Sequence, residues 1–97
     1  SALERSYRAV PPTLNDLRPR SGKVALKCYR TRCPRCSSFE SDGRIPFEES
    51  LDVRRVIPWC CDTEEKAELA RKAGVSDLPS YIVLPSSGPS HVVSPVT

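Results

Sequence analysis

Residues 27–40 read KCYRTRCPRCSSFE and contain three of the five cysteines of this 97-residue chain. Two of them, Cys33 and Cys36, are separated by two residues, a spacing that occurs in redox centres, zinc sites and structural disulfides. The preceding residues 23–29, KVALKCY, are apolar and β-forming with no breaker, which predicts a strand buried on both faces. The cysteine pair therefore follows a buried strand, where the next helix should begin.

This position favours redox chemistry at the pair. At a helix N-terminus, unpaired N–H groups and the positive end of the helix dipole stabilise a thiolate, which is the reactive form of cysteine. Cys33 would lie there, and Arg32 and Arg35 beside it would act in the same direction. Cys36 would follow one helical turn later, close enough to form an intramolecular disulfide.

The composition indicates a single domain over residues 1–97. Hydrophobic residues make up 38% and charged residues 28%, which is typical of a globular domain. The net charge of +3 comes from scattered basic residues with few aromatics between them, so we expect no nucleic-acid partner. No stretch approaches the ~20 apolar residues of a membrane span, so we expect no membrane association either.

The cysteine count bears on location. Five is an odd number, so a fully paired scaffold would leave one thiol over, which favours a reducing compartment. The N-terminal residues SALERSYRAV lack the basic region and apolar run of a signal peptide. We therefore expect a cytoplasmic location.

Short elements precede and follow the central strand. Residues 6–10 are β-compatible, and Thr13 is expected to cap a short helix that Pro19 and Gly22 stop. After the cysteine pair, the sequence predicts helix with interruptions at a glycine and a proline, and then a second helical piece over residues 47–51.

The second half of the chain has clearer patterns. Residues 53–61, VRRVIPWCC, predict a strand whose proline leaves one side unpaired. Asp62 and Glu65 predict a capping box for a helix that Gly74 ends. Residues 80–84 and 89–93 predict two further strands, the last one at a sheet edge because it begins with proline. This order predicts an α/β fold, with parallel pairs first and an antiparallel hairpin last.

Two separated motifs resemble the thioredoxin superfamily, and the resemblance covers nearly all of the chain. Residues 13–36, TLNDLRPRSGKVALKCYRTRCPRC, are similar to the family's short helix, Gly-Lys, central strand and active-site motif. Residues 60–88, CCDTEEKAELARKAGVSDLPSYIVLPSSG, are similar to its strand, Asp, capped helix, Gly-Val and the proline before a strand. The resemblance implies a thioredoxin-like fold, a central mixed sheet flanked by helices, with a cis bond between Leu78 and Pro79.

The resemblance also implies an activity. The chain would be a thiol–disulfide oxidoreductase, acting as a protein disulfide reductase if it is cytosolic, in which Cys33 attacks a protein disulfide and Cys36 resolves the mixed disulfide. It would need no cofactor beyond these cysteines, and a reductase partner of unknown identity would restore them. The residues expected to contact substrate are Arg32, Pro34, Arg35, Leu78 and Pro79. The arginine before Cys33 gives a cationic docking surface, which favours acidic substrates.

Three features depart from the family pattern. Six positions before the first cysteine, thioredoxins carry a buried acidic residue, and here the residue is Lys27. Proton transfer to Cys36 must then use water, another group or Lys27 itself. Proline follows the first cysteine as in glutaredoxins, but their Gly-Gly and Asp after the last strands are absent. Finally, no C-terminal helix is predicted. One sheet face is therefore expected to be bare, to pair in a homodimer, or to be covered by the N-terminal segment or residues 41–50.

Other interpretations of the cysteines remain open. The pair could be a stable disulfide in a redox-inactive interaction module, for which Lys27 and the lack of a final helix are the best arguments. A zinc site using Cys33, Cys36, Cys60 and Cys61 is disfavoured, because adjacent side chains on a strand point to opposite faces.

The remaining single residues have ordinary structural interpretations. Cys28 is expected to be a small core residue, or to form a second disulfide with Cys60 or Cys61 if their strands are neighbours. We expect Trp59 to serve packing and His91, on a terminal edge strand, to be solvated.

Overall fold

The computed structural model describes residues 7–95, which form a five-stranded sheet with helices on both faces. The strands are β1 (Tyr7–Arg8), β2 (Lys23–Tyr29), β3 (Val56–Cys60), β4 (Ser80–Pro85) and β5 (Ser90–Val93). The helices are a 3-10 helix (Pro12–Leu17), α1 (Pro34–Asp42), α2 (Arg44–Ser50) and α3 (Glu64–Lys72). The predicted α/β class with a mixed sheet is confirmed. Within residues 7–95, no helix follows β5 and none is long and apolar enough to cross a membrane.

The strand order is β1-β5-β4-β2-β3. β2 pairs in parallel with β3, and β4 pairs antiparallel with β5, as the order of elements predicts. β1, however, pairs antiparallel with β5 and makes no parallel pair. β5 therefore lies between two strands, and its predicted edge position is wrong. β3 is at an edge, where Pro58 can lack a donor without interrupting a second ladder.

One face of the sheet carries the core beneath α3 and the 3-10 helix. Leu26 and Ile82 are fully buried there, together with Leu14 of the 3-10 helix. α3 contributes Ala67 and Ala70, whose small side chains let the helix approach the sheet closely. This core also contains Cys28 and Cys61.

α1 and α2 cover the opposite face. The ring centroid of Tyr81 on β4 lies 6.1 Å from that of Phe39 on α1 and 5.2 Å from that of Phe47 on α2. Tyr81 is fully buried and donates a 2.6 Å hydrogen bond to Glu48, and Val83 is also buried. Residues 41–50 therefore cover this part of the sheet face, which is one of the expected alternatives. The expectation of a bare face is wrong at Tyr81 and Val83. The homodimer stays a prediction.

The helix ends differ from prediction at three points. Thr63, not Asp62, caps α3, and its hydroxyl accepts a hydrogen bond from the Lys66 amide. Thr13 lies inside the 3-10 helix, which begins at Pro12 without a side-chain cap. α2 begins at Arg44 and contains a proline in its first turn, where a helical N–H has no intrahelical acceptor to lose.

Two further expectations concern single residues. Gly74 follows α3 with a φ of 107°, as predicted for a glycine that ends a helix. His91 is only 7% exposed, so the prediction of a solvated histidine is wrong. Its burial follows from the internal position of β5.

Candidate functional site

The cysteine pair occupies the first turn of α1. Cys33 is the N-cap residue of this helix, in an extended conformation, and Pro34 is its first residue. The Cys33 sulfur accepts a hydrogen bond from the Cys36 backbone N–H at 3.2 Å. The buried strand β2 positions this helix start. A sulfur at an N-cap replaces the side-chain oxygen that usually satisfies the free N–H groups of the first turn.

The two thiols have different environments. Cys33 is half-buried, whereas Cys36 is 7% exposed. Burial raises the pKa of Cys36, and its hydrogen bond to Cys33 raises it further, while the nearby charge of Lys27 acts in the opposite direction. Cys36 is therefore a neutral thiol near pH 7 that can donate to the sulfur of Cys33.

An open cavity of about 460 Å³ lies beside Cys33. It is lined by the predicted site residues Arg32, Cys33, Pro34, Arg35 and Leu78, and also by Arg30, Cys61, Ala67, Ala70, Arg71, Val75, Ser76 and Asp77. Pro79 is not among the lining residues and is buried, and its peptide bond with Leu78 is cis. The arginines outnumber the single carboxylate, which makes this cavity attractive to anions.

A second open cavity, of about 410 Å³, lies on the other side of α1 beside Cys36. Lys27, Tyr29 and Glu40 also line it. The side chain of Lys27 is 13% exposed and forms an ion pair with Glu40, which is bound by Arg44 as well. The hydrogen bond from Lys27 is the main reason that the pKa of Glu40 is lowered. Lys27 therefore has a partner on α1 that the sequence analysis missed. The spacing offers a clue, because Glu40 follows Cys36 by four residues, on the same helix face.

The loop before Cys33 is held by Asp62. The Thr31 backbone N–H and hydroxyl donate to its two carboxylate oxygens at 3.1 and 2.6 Å. These bonds lower the pKa of Asp62. Asp62, predicted to cap α3, therefore connects the end of β3 to the loop before Cys33 instead.

The remaining cysteines are free thiols, as is the pair. Cys61 lines the cavity of Cys33 and is 3% exposed, whereas Cys60 is half-buried. Among residues 7–95, no three or more His, Cys, Asp or Glu side chains are grouped in a way that could hold a metal ion. Trp59 packs against the core and donates to the Lys66 carbonyl at 3.2 Å.

Comparison with known proteins shows the fold class. No family model and no curated protein matches the sequence. A chain from a structure on the thiol-resolving mechanism of yeast mitochondrial 1-Cys peroxiredoxin, via the glutathione and thioredoxin systems, is similar with a TM-score of 0.58 at 15% identity, covering 89% of this chain and 79% of that one. Thioredoxin f from spinach chloroplast has a TM-score of 0.55 at 17% identity, covering 86% and 70%. Schistosoma mansoni thioredoxin has 0.52 at 22%, covering 84% and 73%. The chain therefore has a thioredoxin-like fold.

Proposed function

We propose that this protein is a thiol–disulfide oxidoreductase in which Cys33 attacks and Cys36 resolves. The observation that carries the proposal is the position of the Cys33 sulfur at the N-cap of α1. There it accepts a hydrogen bond of 3.2 Å from the Cys36 backbone N–H. Burial raises the pKa of Cys36 and keeps this thiol protonated near pH 7, whereas the half-buried Cys33 lines the open cavity. The difference between the two environments supports a division of roles.

The reaction is a pair of exchange steps. The Cys33 thiolate attacks one sulfur of a substrate disulfide, whose S–S bond breaks, and the leaving thiolate takes up a proton. Cys36 then loses its proton and attacks the Cys33 sulfur, which breaks the mixed disulfide and releases the second substrate thiol. The substrate gains two electrons, and a disulfide forms between Cys33 and Cys36. A reductase must then return two electrons.

The proton of Cys36 needs an acceptor at a buried position. The Lys27–Glu40 ion pair lines the cavity that Cys36 also lines. We assign the acceptor to the Glu40 carboxylate, acting through water in this cavity, with Lys27 holding it in place. Because its pKa is lowered, the Glu40 carboxylate is ionised near pH 7 but is a weak base. It would therefore act as a relay that passes the proton on to solvent, to which its side chain is half-exposed.

We propose acidic protein disulfides as substrates, encountered in the cytoplasm. Arg32 and Arg35 are exposed and line the cavity of Cys33, so a substrate carboxylate near its disulfide would be attracted there. The backbone at Leu78, which lines the same cavity, would pair with an extended substrate segment. No cofactor other than the cysteines takes part.

The test is to trap the mixed disulfide. Cys36→Ser leaves the attacking thiol but removes the resolving one, so covalent adducts with disulfide substrates should accumulate on Cys33. Mass spectrometry after acid quenching locates them. Cys60→Ser is the matched control and should turn over normally in an insulin-reduction assay, whereas Cys33→Ser should be inactive. Adducts found equally on Cys60 or Cys61 would make the assignment of Cys33 as the nucleophile wrong. A wild type without activity would leave the redox-inactive interaction module as the better description.

A further inference from the structure

Cys28 and Cys61 lie together directly behind the active-site cavity. β2 and β3 are parallel neighbours with Cys28 opposite Trp59, so Cys61 lies two residues further along on the same sheet face. Both thiols belong to the buried core cluster, at 0% and 3% exposure. Their S–H groups donate weakly to the backbone carbonyls of Leu26 and Trp59, at 3.8 Å each. Each thiol shifts the pKa of the other, as expected for close neighbours. The chain thus has a second pair of adjacent thiols.

Cys61 connects this pair to the first one. It lines the same 460 Å³ cavity as Cys33, although it comes from the end of a different strand. Its backbone N–H donates to the Tyr29 carbonyl at 2.7 Å, which holds it beside the end of β2. Cys28 does not line that cavity and is fully buried behind it in the core.

We propose that Cys28 and Cys61 form a second redox-active dithiol, which reduces the Cys33–Cys36 disulfide by exchange inside the protein. The inference rests on the proposed redox cycling of Cys33 and Cys36 and adds an electron source to it. A protein with both pairs reduced holds four transferable electrons rather than two.

The exchange is balanced in atoms and electrons. The Cys61 thiolate attacks the Cys33 sulfur, so that a Cys61–Cys33 bond forms, the Cys33–Cys36 bond breaks, and Cys36 takes up the proton lost by Cys61. Cys28 then attacks the Cys61 sulfur, and Cys33 leaves with the proton lost by Cys28. Two electrons pass from the second pair to the first, and the only outside oxidant is the disulfide substrate that oxidised Cys33 and Cys36.

The electrostatics support this order of attack. The neighbouring Cys28 thiol is the main cause that lowers the pKa of Cys61 to about 7, with Arg30 contributing in the same direction. The proximity of Cys61, together with burial, raises the pKa of Cys28. Cys61 is thus the thiol of this pair that is ionised near neutral pH, and it is the one that faces the cavity.

The test maps disulfides in a Cys60→Ser background, where the tryptic peptide 56–66 has Cys61 as its only cysteine. Cys28, Cys33 and Cys36 fall in the separate peptides 28–30, 33–35 and 36–44. The reduced protein is mixed with bis(2-hydroxyethyl) disulfide, quenched with acid, alkylated and digested. We expect linked 28–30 and 56–66, formed about tenfold more slowly when Cys33 is also replaced by Ser. With Cys28→Ser instead, linked 33–35 and 56–66 should accumulate.

The outcomes separate this inference from the proposed function. Linked 33–35 and 36–44 without linked 28–30 and 56–66 would overturn the second dithiol and leave the first intact. An equal rate of Cys28–Cys61 formation in the Cys33→Ser variant would overturn the internal exchange. Absence of both linked products would overturn the proposed function together with this inference, since no donor disulfide would exist.

Discussion

At the scale of single residues, the site is built on unequal partners. Cys33 is half-buried between exposed residues and lines one open cavity, whereas Cys36 is buried and lines the other cavity together with Lys27 and Glu40. Because burial raises the pKa of Cys36, its deprotonation near neutral pH needs a nearby acceptor, and the Lys27–Glu40 ion pair lines the same cavity.

Glu40→Gln tests the proton acceptor. The Gln side chain cannot accept the Cys36 proton as a carboxylate does, so release of substrate from the mixed disulfide should slow by about tenfold or more at pH 7. The loss should shrink as the pH rises toward the raised pKa of Cys36, because hydroxide then removes the proton. Single-turnover release measured from pH 6 to 10 gives the profile. Glu49→Gln, at an exposed position on α2, is the control. A uniform slowing at all pH values would indicate a structural effect instead.

Arg32→Gln with Arg35→Gln tests substrate preference. Removing two cations from the cavity of Cys33 should lower kcat/KM for an acidic disulfide peptide by about tenfold and leave a neutral peptide within about twofold at low salt. Arg20→Gln, exposed and remote from this cavity, should change neither value. Equal losses for the two peptides would contradict the docking role.

At the scale of elements, α1 and α2 act as one cover. Gly43 joins them, and the rings of Phe39, Phe47 and Tyr81 pack together between the helices and the sheet. α2 is short and would be unstable alone, so its stability comes from this packing.

Phe47→Ala should therefore destabilise the protein far more than a change on the outer side of the same helix. We expect a loss of about 2 to 4 kcal/mol in the free energy of unfolding, because the ring packs against two others. Ile45, which is 59% exposed, is the matched control, and Ile45→Ala should cost about 0.5 kcal/mol or less. Urea denaturation followed by circular dichroism measures both. Similar losses for the two variants would mean that α2 does not cover the sheet in solution.

At the scale of the whole molecule, the sequence predicts the individual strands and helices better than it predicts which strands pair with each other. The buried strands β2 and β4 and the helix α3 are recognisable because apolar runs, capping residues and glycine act locally. The antiparallel pairing of β1 with β5 is a contact between strands that are far apart in the sequence. No local sequence pattern specifies which sheet edge a two-residue strand will pair with. The buried state of His91 follows from that pairing and was missed with it.

The same limit applies to the site. The cysteine pair is visible as a spacing, but the partners of Lys27 and Thr31 are not, since each bond joins different elements. Asp62 shows the difficulty most clearly. An aspartate at this position is typical of a helix cap. Because the neighbouring Thr63 caps α3 instead, the Asp62 carboxylate is able to bind Thr31 in the loop before Cys33.

The helix α1 lies between the two open cavities and separates the surroundings of Cys33 from those of Cys36. Of these two cavities, Cys33 lines the one on the side of α3, and Cys36 lines the one on the side of Lys27. In the proposed mechanism, a large protein docked over the first opening would leave the second in contact with bulk water. Thiol–disulfide exchange would then take place on one side of α1 and proton release on the other, so that even a tightly bound substrate would leave Cys36 sensitive to the pH of the solution.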